Sequence, residues 1–158
     1  MKKINIICVD DEPELLALVM RDLRYFDDMF NIKQCNSAAE CLKLLDRLDA
    51  HQKYIALIIS DHIMPEKSGV ELLTEVAADH RFLGVKKLLL PGKATQADTI
   101  NAINHAKVDR ILEKMWEPQS LIQMVKELLT EFILEKGIDY EPYVKKLDAT
   151  TLYRLHKH

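Results

Sequence analysis

The strongest constraint on the fold is a fivefold alternation of short apolar segments with segments of helical periodicity. The apolar segments 4–9, 31–35, 54–60, 86–90 and 108–112 have the length of strands. The residues after each one repeat apolar side chains at helical spacing, such as Leu16, Val19 and Leu23 after the first. Strands that are apolar on both faces and separated by helices are typical of a parallel sheet covered on both sides. We therefore predict an α/β fold, with a doubly wound five-stranded parallel sheet and helices on both faces.

Local signals place the helix starts and divide the chain. They are Pro13 and Pro118 at first helical turns, and the capping-box spacings Ser37/Glu40 and Thr95/Asp98. The last long helix ends at Gly137 and carries an apolar band wider than one sheet face requires. We predict one domain over residues 1–136 and a short helical extension over 137–158. The extension either packs back on the last helix or leaves that helix free for a partner.

Composition excludes several classes of protein. The chain has 158 residues with 22 basic and 25 acidic side chains, so its net charge of -3 provides no basic field for nucleic acid. Its apolar runs are shorter than the roughly 20 residues of a membrane span, and we expect a cytoplasmic location with no membrane partner. The three cysteines, Cys8, Cys35 and Cys41, form no CxxC pair and are predicted to be buried free thiols.

Charged residues follow three of the predicted strands. Asp10 and Asp11 follow the first, Asp61 the third and Lys114 the fifth. In a sheet of order 2-1-3-4-5, the ligand site lies beyond the carboxyl ends of the strands, between strands 1 and 3. Three crowded carboxylates repel unless a divalent cation lies between them, and hard oxygen ligands suit Mg²⁺. The pattern predicts a magnesium site that brings a phosphoryl group against Asp61.

These residues carry a family resemblance over about residues 3–135. The motifs Val9-Asp10-Asp11-Glu12, Ser60-Asp61-His62-Ile63-Met64-Pro65 with Gly69, and Lys114 after strand 5 resemble the receiver domain of two-component response regulators. The resemblance implies that Asp61 accepts the phosphoryl group and Lys114 contacts its oxygens. It also implies that Asp11, Asp61 and the Ile63 carbonyl hold Mg²⁺, with Asp10 acting through water. The donor would be a histidine kinase or a phosphotransfer protein, docking on the first helix.

Three positions depart from the family pattern. Pro91 stands where strand 4 of the family ends in Thr or Ser, so the switch hydroxyl is missing. Using Thr95 instead would need four inserted residues and would remove a helix cap. Ile111 replaces the frequent switch aromatic, and Met115 replaces the proline after the lysine. These changes leave the phosphorylation chemistry intact and put the usual switch in doubt.

Two functions from different classes follow. The first is a stand-alone receiver, phosphorylated on Asp61, that signals to a downstream protein or to a second copy through helix 4, strand 5 and helix 5. The alternative is a degenerate receiver that scaffolds partners without phosphorylation, which Pro91, Ile111 and Met115 favour. We expect no enzymatic activity beyond phosphoryl transfer and hydrolysis at Asp61. A phosphoaspartate phosphatase would need Asp-x-Asp after strand 1 and a cap, and the sequence has neither.

Overall fold

The computed structural model describes residues 3–92 and 96–156 as strands alternating with helices. The strands are β1 (Ile4–Val9), β2 (Asn31–Cys35), β3 (Tyr54–Asp61), β4 (Lys86–Leu90) and β5 (Arg110–Ile111). The helices are α1 (Pro13–Leu23), α2 (Ala38–Ala50), α3 (Gly69–Ala78), α4 (Gln96–Asn104), α5 (Pro118–Lys136) and α6 (Ala149–His156). Short 3-10 turns cover Arg24–Phe26, His80–Phe82 and Glu141–Lys146. Thr95, the predicted cap of α4, lies outside the described residues.

All five strands are parallel and lie in the order β2-β1-β3-β4-β5, which confirms the predicted fold. The strand β1 pairs with β2 on one side and with β3 on the other, so its end and the end of β3 are neighbours. The register places Val9 beside Ser60, one residue before the two acidic tips. This adjacency is what positions the site.

The fifth strand is shorter than predicted. The sequence predicted residues 108–112, whereas β5 holds only Arg110 and Ile111, paired with Leu88 and Leu89. The prediction was wrong at the amino end because the backbone N–H of Val108 donates to the Ala102 carbonyl of α4 instead of to β4.

Local capping explains where two helices begin and one ends. Ser68 and Glu71 form a reciprocal capping box at the start of α3, and the Ser37 hydroxyl accepts from the backbone N–H of Glu40 at the start of α2. Gly137 ends α5 with a φ of 72°, a left-handed conformation that glycine adopts without steric cost.

The helices enclose the sheet in two apolar layers. One layer joins the sheet to α1 and α5 through side chains that include Leu23, Phe30, Leu57 and Val125. The other joins it to α2, α3 and α4 and includes Leu45 and Leu72 among its fully buried residues. All three cysteines are buried and free, as predicted. No described helix combines the length and the apolar character that crossing a bilayer requires.

The carboxyl-terminal extension packs back on the domain. The Tyr143 ring stacks on Phe30 with a centroid distance of 5.4 Å, and Leu147 is buried in the layer that contains α5. The backbone N–H of Asp148 donates to the Thr130 hydroxyl on α5 at 2.9 Å. The wide apolar band of α5 is therefore covered by the chain's own tail.

Candidate functional site

The end of β1 supplies two carboxylates in different environments. Asp10 is buried, and its Oδ1 accepts the backbone N–H of Glu12 at 2.9 Å, which turns the chain into α1. The next residue, Pro13, begins the helix, where a missing N–H costs no hydrogen bond. Asp11 is half-buried. The turn thus directs two successive acidic residues to the carboxyl edge of the sheet.

The end of β3 supplies the third carboxylate and a tightly packed loop. Asp61 is 5% exposed, and Gly69 donates its backbone N–H to the His62 carbonyl at 2.8 Å. A Cβ on Gly69 would lie 1.9 Å from the backbone oxygen of Asp61, a distance that only the absence of a side chain permits. The glycine of the sequence motif therefore brings the first turn of α3 against the strand end.

Lys114 links the two strand ends. Its Nζ lies 2.8 Å from Asp61 Oδ1 and 3.5 Å from Asp10 Oδ2, and the side chain is 11% exposed. The backbone N–H of Lys114 donates to the Pro91 carbonyl at 2.9 Å, which ties this segment to the end of β4. The structure thus brings Asp10, Asp61 and Lys114 together at the carboxyl edge of the sheet, which is the arrangement that the sequence predicted.

The three carboxylates fit a hard cation. One oxygen from each of Asp10, Asp11 and Asp61 lies within 4.8 Å of the other two. Asp11 Oδ1 is buried and has no hydrogen-bond partner among the described residues, although buried polar atoms are nearly always paired. An oxygen-only donor set of this kind suits Mg²⁺. A cavity of about 310 Å³ borders Asp10 and Asp11 where β2 ends.

Burial raises the pKa of the Asp10 carboxyl above its ordinary value. The backbone N–H of Glu12 opposes this shift, the nearby charge of Asp61 adds to it, and the Lys114 ammonium lowers the pKa again. The Lys114 ammonium offsets part of the repulsion among the acidic side chains at this edge.

The other residues singled out from the sequence surround this centre. Ile63 lies two residues after Asp61 with its side chain 73% exposed, so the role predicted for it would use its backbone carbonyl. Pro91 is buried directly after β4, and Ile111 lies in β5 against the second apolar layer. Met115 is 72% exposed, and the peptide bond between Lys114 and Met115 is cis.

One buried contact near the site was not predicted from the sequence. Trp116 Nε1 donates to Asp22 Oδ2 at 2.9 Å, which joins the segment after β5 to α1. One feature of the sequence pointed to it: Asp22 lies on the apolar face of α1, at helical spacing from Val19 and beside Leu23. A carboxylate on such a face indicates a buried polar contact.

Comparison with known proteins identifies the family. The family model described as response regulator receiver domain matches residues 6–126, and the chain belongs to this family. The chain is 24% identical to Chemotaxis protein CheY1 of Helicobacter pylori (strain J99) over 125 residues, which is 79% of this chain and 96% of that protein. It superposes with a TM-score of 0.74 on the signal receiver domain of an HD domain-containing protein from Pseudomonas fluorescens Pf-5. That match has 22% identity and covers 87% of this chain and 94% of the other.

Other relatives are longer proteins. The chain is 29% identical to the hydrogenase transcriptional regulatory protein HoxA of Cupriavidus necator over 126 residues, which is 80% of this chain and 24% of that protein. It spans from about a quarter to about half of the length of the first three curated relatives.

Proposed function

We propose that the protein accepts a phosphoryl group on Asp61 in a magnesium-dependent step, from the phosphohistidine of a histidine kinase or phosphotransfer protein. The observation that carries this proposal is the 2.8 Å contact between Lys114 Nζ and Asp61 Oδ1 beside Asp10 and Asp11. A degenerate scaffold would not need a lysine directed at the acceptor carboxylate from another strand. The family membership supports the same function.

The proposed step is a phosphoryl transfer. An Asp61 oxygen forms a bond to phosphorus while the phosphorus–nitrogen bond to the donor histidine breaks, and the departing imidazole takes up a proton from water. The product is an acyl phosphate on Asp61. Transfers of this kind depend mainly on position and on charge stabilisation of the phosphoryl oxygens. Lys114 already lies within hydrogen-bonding distance of the acceptor, and its ammonium can move to a phosphoryl oxygen.

Asp11 and Asp61 would hold Mg²⁺ together with the Ile63 carbonyl, and Asp10 would act through a bound water. The ion would supply positive charge against the phosphoryl oxygens. The unpartnered Asp11 Oδ1 supports this assignment, because a cation satisfies a buried carboxylate oxygen that no described hydrogen-bond donor reaches.

Signalling would proceed by protein contacts. We propose that α1 receives the donor and that α4 and β5, together with the part of α5 that the extension leaves uncovered, contact a downstream protein or a second copy of the chain. Two exposed isoleucines on α4, Ile100 and Ile103, support the second surface. That the receiver works alone, and that it has no enzymatic activity beyond its own phosphorylation and dephosphorylation, stay predictions. A cytoplasmic location stays a prediction.

The test is incubation with acetyl phosphate and MgCl₂, followed by intact-mass spectrometry. We expect the wild type to gain the mass of one phosphoryl group and Asp61→Asn to gain none. Asp46→Asn, which changes an exposed carboxylate on α2, is the matched control and should be labelled like the wild type. EDTA should abolish the gain.

The results separate the two hypotheses. No mass gain in the wild type would favour the phosphorylation-independent scaffold. An equal gain in Asp61→Asn would show that the label is on another side chain and would exclude Asp61 as the acceptor.

A further inference from the structure

A buried carboxylate on α1 is bonded to the segment that carries Lys114. Asp22 has a side chain only 4% exposed, and its Oδ2 accepts the indole N–H of Trp116, which lies 94 positions later in the sequence. Its Oδ1 lies 3.4 Å from both Nε and Nη2 of the exposed Arg21. The indole itself packs against the apolar layer formed with α1 and α5.

The hydrogen bond between Asp22 and Trp116 holds the segment between Lys114 and the start of α5 against the domain. The backbone N–H of Lys114 is held by the Pro91 carbonyl, and α5 begins at Pro118. Between these two points Met115 is 72% exposed, so Trp116 is the described residue whose side chain ties the segment to the body of the domain. Lys114 lies only two residues before Trp116 in the chain. A displacement of Trp116 would therefore also displace the backbone of Lys114.

A carboxylate is a costly way to fill this position if packing alone is needed. Burying a charge carries a large desolvation penalty that its partners must offset, and an apolar side chain on the stripe of α1 would avoid that penalty. A hydrogen bond from a rigid indole fixes distance and direction, whereas an apolar contact fixes neither. The arrangement therefore favours precise placement of the segment.

We propose that Asp22 is a positioning residue for phosphoryl transfer, which acts through Trp116 to hold the Lys114 ammonium against Asp61. The inference rests on the proposed function and adds to it Asp22, a residue in the last turn of α1. Misplacement of a reacting group by about 1 Å costs up to about 100-fold in rate. For a shift transmitted through two residues, we expect a loss of about tenfold.

The experiment measures the second-order rate constant for phosphorylation by acetyl phosphate at saturating Mg²⁺, with Mg²⁺ affinity measured from the rise in thermal stability. Asp22→Leu and Trp116→Phe should each lower the rate about tenfold and leave Mg²⁺ affinity unchanged. Asp22→Asn should restore the rate to within about twofold of wild type, because its amide oxygen still accepts the indole N–H. The Trp116→Phe variant keeps an aromatic ring while it removes the indole N–H, and it serves as the test if Asp22→Leu fails to fold.

A double-mutant cycle separates positioning from general stability. In a Lys114→Met background, Asp22→Leu should cause no further loss of rate, because the group that it positions is absent. The inference would be overturned by wild-type rates in folded Asp22→Leu and Trp116→Phe, or by an Asp22→Asn variant as slow as Asp22→Leu. It would also be overturned if the losses of rate from Asp22→Leu and Lys114→Met were additive in the double mutant. An unlabelled wild type would instead overturn the proposed function and the inference with it.

Discussion

Gly69 lies against the backbone of Asp61, where a Cβ would meet the Asp61 carbonyl oxygen at 1.9 Å. The neighbouring atom belongs to a buried strand and cannot turn away as a flexible side chain could. We expect Gly69→Ala to lower the free energy of unfolding by about 1–3 kcal/mol, despite the better helix propensity of alanine, because forced packing displaces the backbone. Urea denaturation would measure the change.

Gly92→Ala is the matched control for this substitution, since a Cβ there would meet no heavy atom within 4 Å. We expect it to be neutral or slightly stabilising, because alanine reduces the conformational freedom of the unfolded chain. Equal losses in both variants would contradict a specific role for the Gly69 contact.

The sequence predicted the alternation of strands and helices and the acidic residues at the strand ends because both are local patterns. Apolar strand segments and helical periodicity predict a doubly wound parallel sheet, and the order β2-β1-β3-β4-β5 of such a sheet then brings the tips of β1 and β3 together. The bond between Asp22 and Trp116 was not predictable in this way. It joins two distant residues through one side-chain geometry, and no periodic pattern encodes such a pairing.

The length of β5 illustrates a second limit. The apolar residues Val108 and Leu112 match a strand pattern, but the backbone N–H of Val108 is taken by α4. Competition between a helix end and a strand for one hydrogen bond depends on the tertiary arrangement of both. The intrinsic β-propensity of these residues therefore predicts a longer β5 than the structure has.

Magnesium should stabilise the folded protein through Asp11. A ligand that binds only the native state adds RT ln(1 + [L]/Kd), or about 1.4 kcal/mol at tenfold excess over Kd. We expect the melting temperature to rise with MgCl₂ in the wild type and to respond little in Asp11→Asn. Glu14→Gln, which alters an exposed acidic residue in the first turn of α1, is the control and should respond like the wild type. An undiminished response in Asp11→Asn would exclude Asp11 as a ligand.

The extension should contribute to stability through Tyr143. This ring is half-buried and stacks on Phe30, which is fully buried. Tyr143→Ala should lower the free energy of unfolding by about 2 kcal/mol, less than the 3–5 kcal/mol typical of a fully buried aromatic residue. Tyr153→Ala, at a position 68% exposed on α6, should change it by less than about 0.5 kcal/mol. Similar losses at both positions would show that the extension does not dock through Tyr143.

Asp148 should make the stability of the extension depend on pH in the acidic range. Hydrogen bonds from the Thr151 hydroxyl and from the Gln123 amide hold the pKa of the Asp148 carboxyl below its usual range. Its folded-state pKa is lower than its unfolded one, so its stabilisation is present above the unfolded value near 3.9 and is lost as pH falls through the folded value. We expect the stability advantage of wild type over Asp148→Asn to shrink steadily below pH 4 in urea titrations. A constant difference from pH 7 to pH 3 would contradict this linkage.

Pro91 should limit how strongly phosphorylation changes the conformation. A bound group shifts an equilibrium only by its differential contacts with the two states, and proline offers no hydroxyl to a phosphoryl oxygen. Pro91→Ser adds such a donor while the backbone carbonyl that accepts from Lys114 remains. A hydrogen bond to a charged group contributes about 1.5–3 kcal/mol, which corresponds to a shift of roughly 10- to 100-fold between the states.

Fluorescence of Trp116, the single tryptophan of the chain, would report this shift between the two states. The signal change on phosphorylation should be larger in Pro91→Ser than in Pro91→Ala, which has the same backbone freedom without the hydroxyl, and equal changes would place the limit elsewhere.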